Sequence, residues 1–97
     1  MHNNESSKAF QQVNARLRRL EAEYCGTLVG AFAVLEQYDS ETAQLALDAM
    51  ENRDNAALWF GDHVGSLSGR TPWECLAAGD VNQVRRVLNA IVYGLPA

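Results

Sequence analysis

Five large apolar residues recur near the start of the chain at alternating steps of three and four residues. They are Phe10, Val13, Leu17, Leu20 and Tyr24. This spacing places all five on one narrow face of an α-helix. The helix can pack this face against its own core, or two chains can pair along it as a short coiled coil. We take the second as the working hypothesis, which predicts a homodimer built on these five residues.

The apolar steps extend more weakly beyond Tyr24. Leu28, Ala31, Val34 or Leu35, and Tyr38 continue them, but Gly26 and Gly30 fall within the extension. Glycine in a helix interior is less favourable than alanine, so the pair argues against a single long helix. We therefore predict one or two helices that end near Tyr38.

The rest of the chain also favours helices. No proline precedes Pro72, and no alternating strand pattern is present. Asp39 marks the start of a new helix, and Asp54 is placed to cap a short one. We predict an all-α fold, a small helical bundle of about five or six helices with no sheet. An N-terminal helical region, 1–41, precedes a second unit, 42–97.

The strongest local signals lie in the last third of the chain. Thr71 and Glu74 have the spacing of a capping box, and Pro72 falls at the first helical position between them. Gly79 is placed to end that helix, and Asp80 to cap the next, which stops at Gly94.

Composition excludes several classes of function. The net charge of −4 does not suit a protein that binds nucleic acid by neutralising phosphates. No nucleophile, base or set of ligands has a catalytic or metal-binding spacing, so we predict no enzyme, metal site or cofactor. The two cysteines, Cys25 and Cys75, are expected to be free thiols. No apolar run approaches the ~20 residues of a membrane span, and we expect a cytoplasmic protein.

The second unit resembles a known family of bacterial antitoxins. The pattern spans about Thr42 to Ala97 and comprises a tryptophan-containing helix end, a Gly-Arg-Thr-Pro helix start, a glycine turn and a final amphipathic helix that ends in glycine. Its members are Ala57-Leu58-Trp59-Phe60, Leu67-Ser68-Gly69-Arg70-Thr71-Pro72, Leu76, Gly79, Val84, Leu88, Ile91 and Gly94. This ordered set resembles the C-terminal toxin-binding domain of the Xre/MbcA/ParS antitoxins.

The resemblance implies a toxin-antitoxin system in which the protein neutralises a RES-type toxin, a class that depletes cellular NAD. It also implies that the chain's end covers the toxin's active site. The residues that match the family's partner-binding positions are Arg70, Thr71, Trp73, Tyr93, Gly94, Leu95, Pro96 and Ala97.

The chain departs from the family in its first unit. Many relatives carry an N-terminal helix-turn-helix, but residues 1–41 show no basic recognition helix after a turn. Two alternatives stay open: a DNA-binding regulator of its own operon, and an adaptor module that has lost the toxin.

Overall fold

The computed structural model describes residues 4–94, with side chains from residue 5 onward. Within this range the chain forms helices and connecting turns and no strand, which confirms the predicted all-α bundle. The five α-helices are α1 (Asn4–Tyr38), α2 (Ser40–Met50), α3 (Arg53–Trp59), α4 (Pro72–Ala77) and α5 (Val81–Tyr93), and a 3₁₀ turn spans Gly65–Leu67.

Helix α1 dominates the shape of the protein. It runs unbroken for 35 residues, straight through Gly26 and Gly30. At 1.5 Å per residue this is about 52 Å of helix, which accounts for the molecule's longest dimension of 55 Å. Of the one or two helices predicted to end near Tyr38, the structure has one: packing of the following turns outweighs a propensity cost of about 1 kcal/mol per glycine.

The core lies between the C-terminal half of α1 and the helices that follow. Phe32 and Leu35 of α1 belong to one buried cluster with Phe60, which follows α3, and with Val84 and Leu88 of α5. The core therefore draws on residues from both sides of the boundary predicted between residues 41 and 42. We call residues 25–94 the body.

The N-terminal half of α1 projects from the body as an arm. Every residue from 7 to 24 is exposed. The interpretation in which this part of α1 packs against its own core is therefore wrong. Most helical stability in proteins comes from packing of an amphipathic face, and the apolar face of the arm packs on nothing within the described chain.

Most helix starts follow from side-chain caps. Asp39 accepts a hydrogen bond from the backbone N–H of Thr42 and so caps α2 as expected. Thr71 and Glu74 form both hydrogen bonds of the capping box at the start of α4. Helix α3, however, begins at Arg53, because Asn52 rather than Asp54 accepts from the backbone N–H of Asn55.

Helix α5 starts at the predicted place without the predicted bond. Asp80 occupies the cap position, but its side chain caps no backbone N–H. Its Oδ2 instead accepts a hydrogen bond from Arg70 at 2.8 Å. The helix ends at Gly94, as predicted, with a φ of 67° that favours glycine.

Candidate protein-binding surfaces

The arm presents a row of large apolar side chains to solvent. This arm stripe consists of Phe10, Val13, Leu17, Leu20 and Tyr24, and its members are between 50% and 71% exposed. An exposed apolar row of this length on a projecting helix is typical of an interaction surface. The residues of the homodimer hypothesis are thus brought together on one accessible face.

The same face continues along α1 beside the body. Thr27 and Val34 are exposed, Ala31 is half-buried, and Tyr38 is 80% exposed. They extend the arm stripe with the same steps, and we call the whole row, from Phe10 to Tyr38, the long stripe. Leu28 and Leu35, which were possible members, are instead buried.

A groove runs between the long stripe and α4. It has a volume of about 380 Å³, and Trp73 forms its wall on the α4 side; its other lining residues are Tyr24, Thr27, Leu28, Ala31 and Val34. A second hollow, of about 350 Å³, shares Val34 and Trp73 with this groove and reaches Tyr38 and Leu76. Apolar space therefore flanks the long stripe where it passes the body.

Tyr24 joins the arm to the body. Its hydroxyl donates a hydrogen bond to the carbonyl oxygen of Gly61 at 3.3 Å. A Cβ at Gly61 would lie 2.6 Å from Leu28 Cδ1 and 2.7 Å from the Tyr24 hydroxyl. The close approach of α1 to this turn thus depends on the missing side chain of Gly61.

Trp73 is held by an aromatic cluster. Phe60 is buried at its centre, with ring centroids 5.7 Å from Trp73, 5.2 Å from Trp59 and 6.0 Å from Phe32. The backbone N–H of Trp73 also donates to the carbonyl of Phe60. Trp73 remains half-buried, so one part of the ring packs on the core and another lines the groove.

Arg70 and Thr71 have partners within the chain. Arg70 pairs with Asp80, and its Nε donates to the carbonyl of Leu67 at 3.3 Å. The hydrogen bond to Asp80 raises the pKa of the Arg70 guanidinium. Thr71 is buried, with its hydroxyl accepting from Glu74. These bonds shape the loop before α4; the proposed role of both residues in partner binding stays a prediction.

The comparisons with known proteins give no relatives from which a function could be read. No family model matches the chain, and no curated protein or solved structure matches it significantly. The resemblance to the antitoxins therefore rests on the sequence pattern alone.

The end of α5 forms a second apolar surface. Ile91 and Val92 are partly exposed, and Tyr93 is 71% exposed. Gly94 stops the helix in the left-handed conformation. Leu95, Pro96 and Ala97, the remaining residues of the predicted inhibitory tail, lie outside the described residues.

Two features that would suggest other kinds of site, a metal-binding cluster and a membrane span, are absent from residues 4–94. No group of three or more His, Cys, Asp or Glu side chains in this range could hold a metal ion. No helix described is both long and apolar enough to cross a membrane. Cys25 and Cys75 are free, as expected, and Cys75 is buried.

A polar network that the sequence did not indicate joins the start of α2 to α5. Arg85 of α5 donates from Nε to the hydroxyl of Thr42, at 2.7 Å, and from its Nη2 to Asp39. Thr42 in turn donates to Asp39 Oδ2 at 2.6 Å. Partial burial raises the pKa of Asp39, but the hydrogen bonds from Thr42 and Arg85 outweigh it, so the pKa lies below its usual value.

Proposed function

We propose that this protein is a homodimeric antitoxin that binds a RES-type toxin, which depletes NAD, and covers its active site. The observation that carries the proposal is that one small chain has two separate exposed apolar surfaces. The arm stripe is suited to a second copy, and the end of α5 is suited to a different protein. The antitoxin-like pattern of the second unit supplies the class of that protein.

The homodimer is supported by the free energy that burial of the exposed arm stripe would contribute. The arm stripe exposes large apolar groups, and burying such area contributes about 25 cal/mol per Å². Helices in proteins gain most of their stability from packing of an amphipathic face, which the arm does not have in a single copy. Pairing of two arms buries both stripes at once and stabilises the helix that carries them.

Inhibition is supported by the chemistry at the end of α5. Tyr93 offers an aromatic contact of the kind enriched at binding hot spots, and Ile91 adds exposed apolar area. Gly94 then ends the helix in the left-handed conformation. In the proposed complex, this end of the chain enters the nucleotide cleft of the toxin, while Arg70 contacts its rim.

The homodimer is tested by placing a charge in the arm stripe. We expect the wild-type protein to have the mass of a dimer in light scattering and Leu17→Asp to have that of a monomer. Ala15→Asp is the matched control, since Ala15 is exposed on the same helix outside the arm stripe. A concentration-independent monomer mass for the wild type would contradict the homodimer.

Inhibition is tested by co-expression with the product of the neighbouring gene. We expect the full chain to co-purify with that product, restore growth and preserve cellular NAD. A version cut after Tyr93 should bind and fail to rescue. Gln44→Ala, an exposed change on α2, is the control for expression and folding.

The same experiment separates the proposal from its nearest alternative. If the neighbouring product is harmless alone and nothing co-purifies, the antitoxin function is contradicted. The protein would then be better described as an interaction module without a toxin. NAD levels matter here because growth rescue alone does not identify the type of toxin.

A further inference from the structure

We propose that two copies pair as a parallel, in-register coiled coil along the whole long stripe, so that the partner's α1 covers the groove beside Trp73. This inference rests on the proposed homodimer and adds its orientation and extent. The occupant of the groove is therefore a second copy of this chain.

The long stripe has the heptad pattern of a coiled coil. Positions a are Phe10, Leu17, Tyr24, Ala31 and Tyr38, and positions d are Val13, Leu20, Thr27 and Val34. The pattern thus continues without a shift from the arm onto the body. Thr27 is the one member whose side chain is neither aliphatic nor aromatic. Its hydroxyl donates a hydrogen bond to the carbonyl oxygen of Glu23 at 3.0 Å, so it does not need a partner across the interface.

The body leaves this face open. The core-facing residues of α1 are Leu28 and Leu35, at e positions, and Phe32, at a b position. They place the body to one side of the long stripe rather than over it. Val34 and Tyr38 accordingly remain 50% and 80% exposed although they lie beside the body. A second helix can therefore follow α1 past the point where the arm ends.

The charges beside the arm stripe fit a parallel pair. In a parallel coiled coil, a g residue of one chain reaches the e residue of the next heptad in the other chain. Arg16 at g then faces Glu21 of the partner subunit, and symmetry gives this ion pair twice. None of the other g–e contacts along the long stripe brings like charges together.

Two antiparallel alignments each satisfy only one of charge and coverage. The antiparallel alignment that faces Arg16 with Glu23 of the partner subunit sets Phe10 opposite Thr27. It places Val34 and Tyr38 past Asn4 of the partner subunit, the first residue of its α1. The alignment that sets Val13 opposite Tyr38 covers them but places Arg16 beside Gln37, without an ion pair.

Gly30 is consistent with a close approach of the second helix. It lies at a g position, and a Cβ there would meet nothing within 4 Å in its own chain. Packing within one chain thus gives no reason for a helix-interior glycine at this place. In the parallel pair it faces Leu35 of the partner subunit, next to the groove, where a missing side chain lets the backbones approach.

Disulfide trapping distinguishes the two orientations. In the background of Cys25→Ser, we expect Val13→Cys and Val34→Cys each to form a dimer with itself on mild oxidation, seen on a non-reducing gel. Self-crosslinking at both positions requires a parallel register, because an antiparallel pair brings only its central residues opposite themselves. Ala15→Cys is the outward-facing control and should not crosslink at the same rate.

Crosslinking between different positions would contradict the parallel register. If Val13→Cys crosslinks efficiently with Tyr24→Cys or with Tyr38→Cys but not with itself, the homodimer stands and this inference fails. If the uncrosslinked protein is monomeric by light scattering, both fail. Loss of the Val34→Cys crosslink alone would confine the coiled coil to the arm and overturn the proposed covering of the groove.

A charge swap gives a second, independent measurement. Glu21→Arg should raise the dimer dissociation constant about three- to tenfold, as expected for exposed ion pairs turned repulsive. Adding Arg16→Glu to the same chain should restore the wild-type value. An antiparallel pair with Arg16 facing Glu23 would instead be weakened by the double variant, so restoration is the result that the parallel register requires.

Discussion

The guanidinium of Arg85 lies 2.8 Å from the carboxylate of Asp39, although 46 positions separate the two residues in sequence. Asp39 caps α2 immediately after α1 ends, and Arg85 belongs to α5. Their ion pair therefore fixes the turn between α1 and α2 against the last helix. Thr42, whose side chain is buried between them, is satisfied by both.

Removing this network should lower stability. Asp39→Ala loses a helix cap and the partner of Arg85, and we expect it to cost about 1–2 kcal/mol in the free energy of unfolding. Arg85→Ala should have a similar effect, because it leaves the buried Thr42 hydroxyl without its donor. Urea unfolding measures both. Arg86→Ala, an exposed neighbour that contacts only Gln83 among the bonds described, should change stability by less than about 0.5 kcal/mol.

The same carboxylate makes stability depend on pH. The folded-state pKa of Asp39 lies below its usual value of 3.8, so the carboxylate stabilises the fold above that pH. This contribution is lost as the pH falls through the lowered folded-state pKa. We expect the urea midpoint of the wild type to drop more below about pH 4 than that of Asp39→Asn. Equal slopes for the two proteins in this acidic range would count against the network.

Gly61 should be intolerant of a side chain. Gly61→Ala brings a Cβ against Leu28 and Tyr24, and we expect a loss of about 1–3 kcal/mol, since the buried Leu28 has little room to move. Gly65→Ala is the matched control, because a Cβ there meets nothing within 4 Å and the backbone is not left-handed. It should be neutral or stabilise by up to about 1 kcal/mol. Thermal unfolding of the two variants tests the close approach at the base of the arm.

The capping box before α4 should be measurable separately from partner binding. Thr71→Ala removes the hydroxyl that accepts from Glu74, and we expect a cost of about 1 kcal/mol. Thr71→Ser keeps the hydroxyl and should retain most of the stability. If Thr71→Ser is as unstable as Thr71→Ala, the methyl group rather than the cap is responsible.

Local signals in the sequence predicted local structure well. The capping box needs only residues three apart, and the caps at Asp39 and Gly94 depend on their immediate neighbours. Such features are independent of the rest of the fold. The end of α1 at Tyr38 was predictable for the same reason.

Features that depend on distant residues were not predictable. Asp80 has the spacing of a helix cap, but its carboxylate accepts a hydrogen bond from Arg70 instead. The Arg85–Asp39 pair joins helices whose contact no spacing reveals. Gly26 and Gly30 marked a break that packing of α1 against the body overrides, and the arm stripe could not be assigned to the surface or the core without the tertiary structure.

The unbroken course of α1 from arm to core has a consequence for hydrogen exchange. By geometry α1 is one helix, but its amides belong to two different environments. Those near Phe32 open only when the core unfolds, whereas those near Phe10 open by fraying of a solvated end. Protection should therefore fall along a single element from its C-terminal to its N-terminal half, and the point at which it falls will move toward Asn4 whenever something binds the arm.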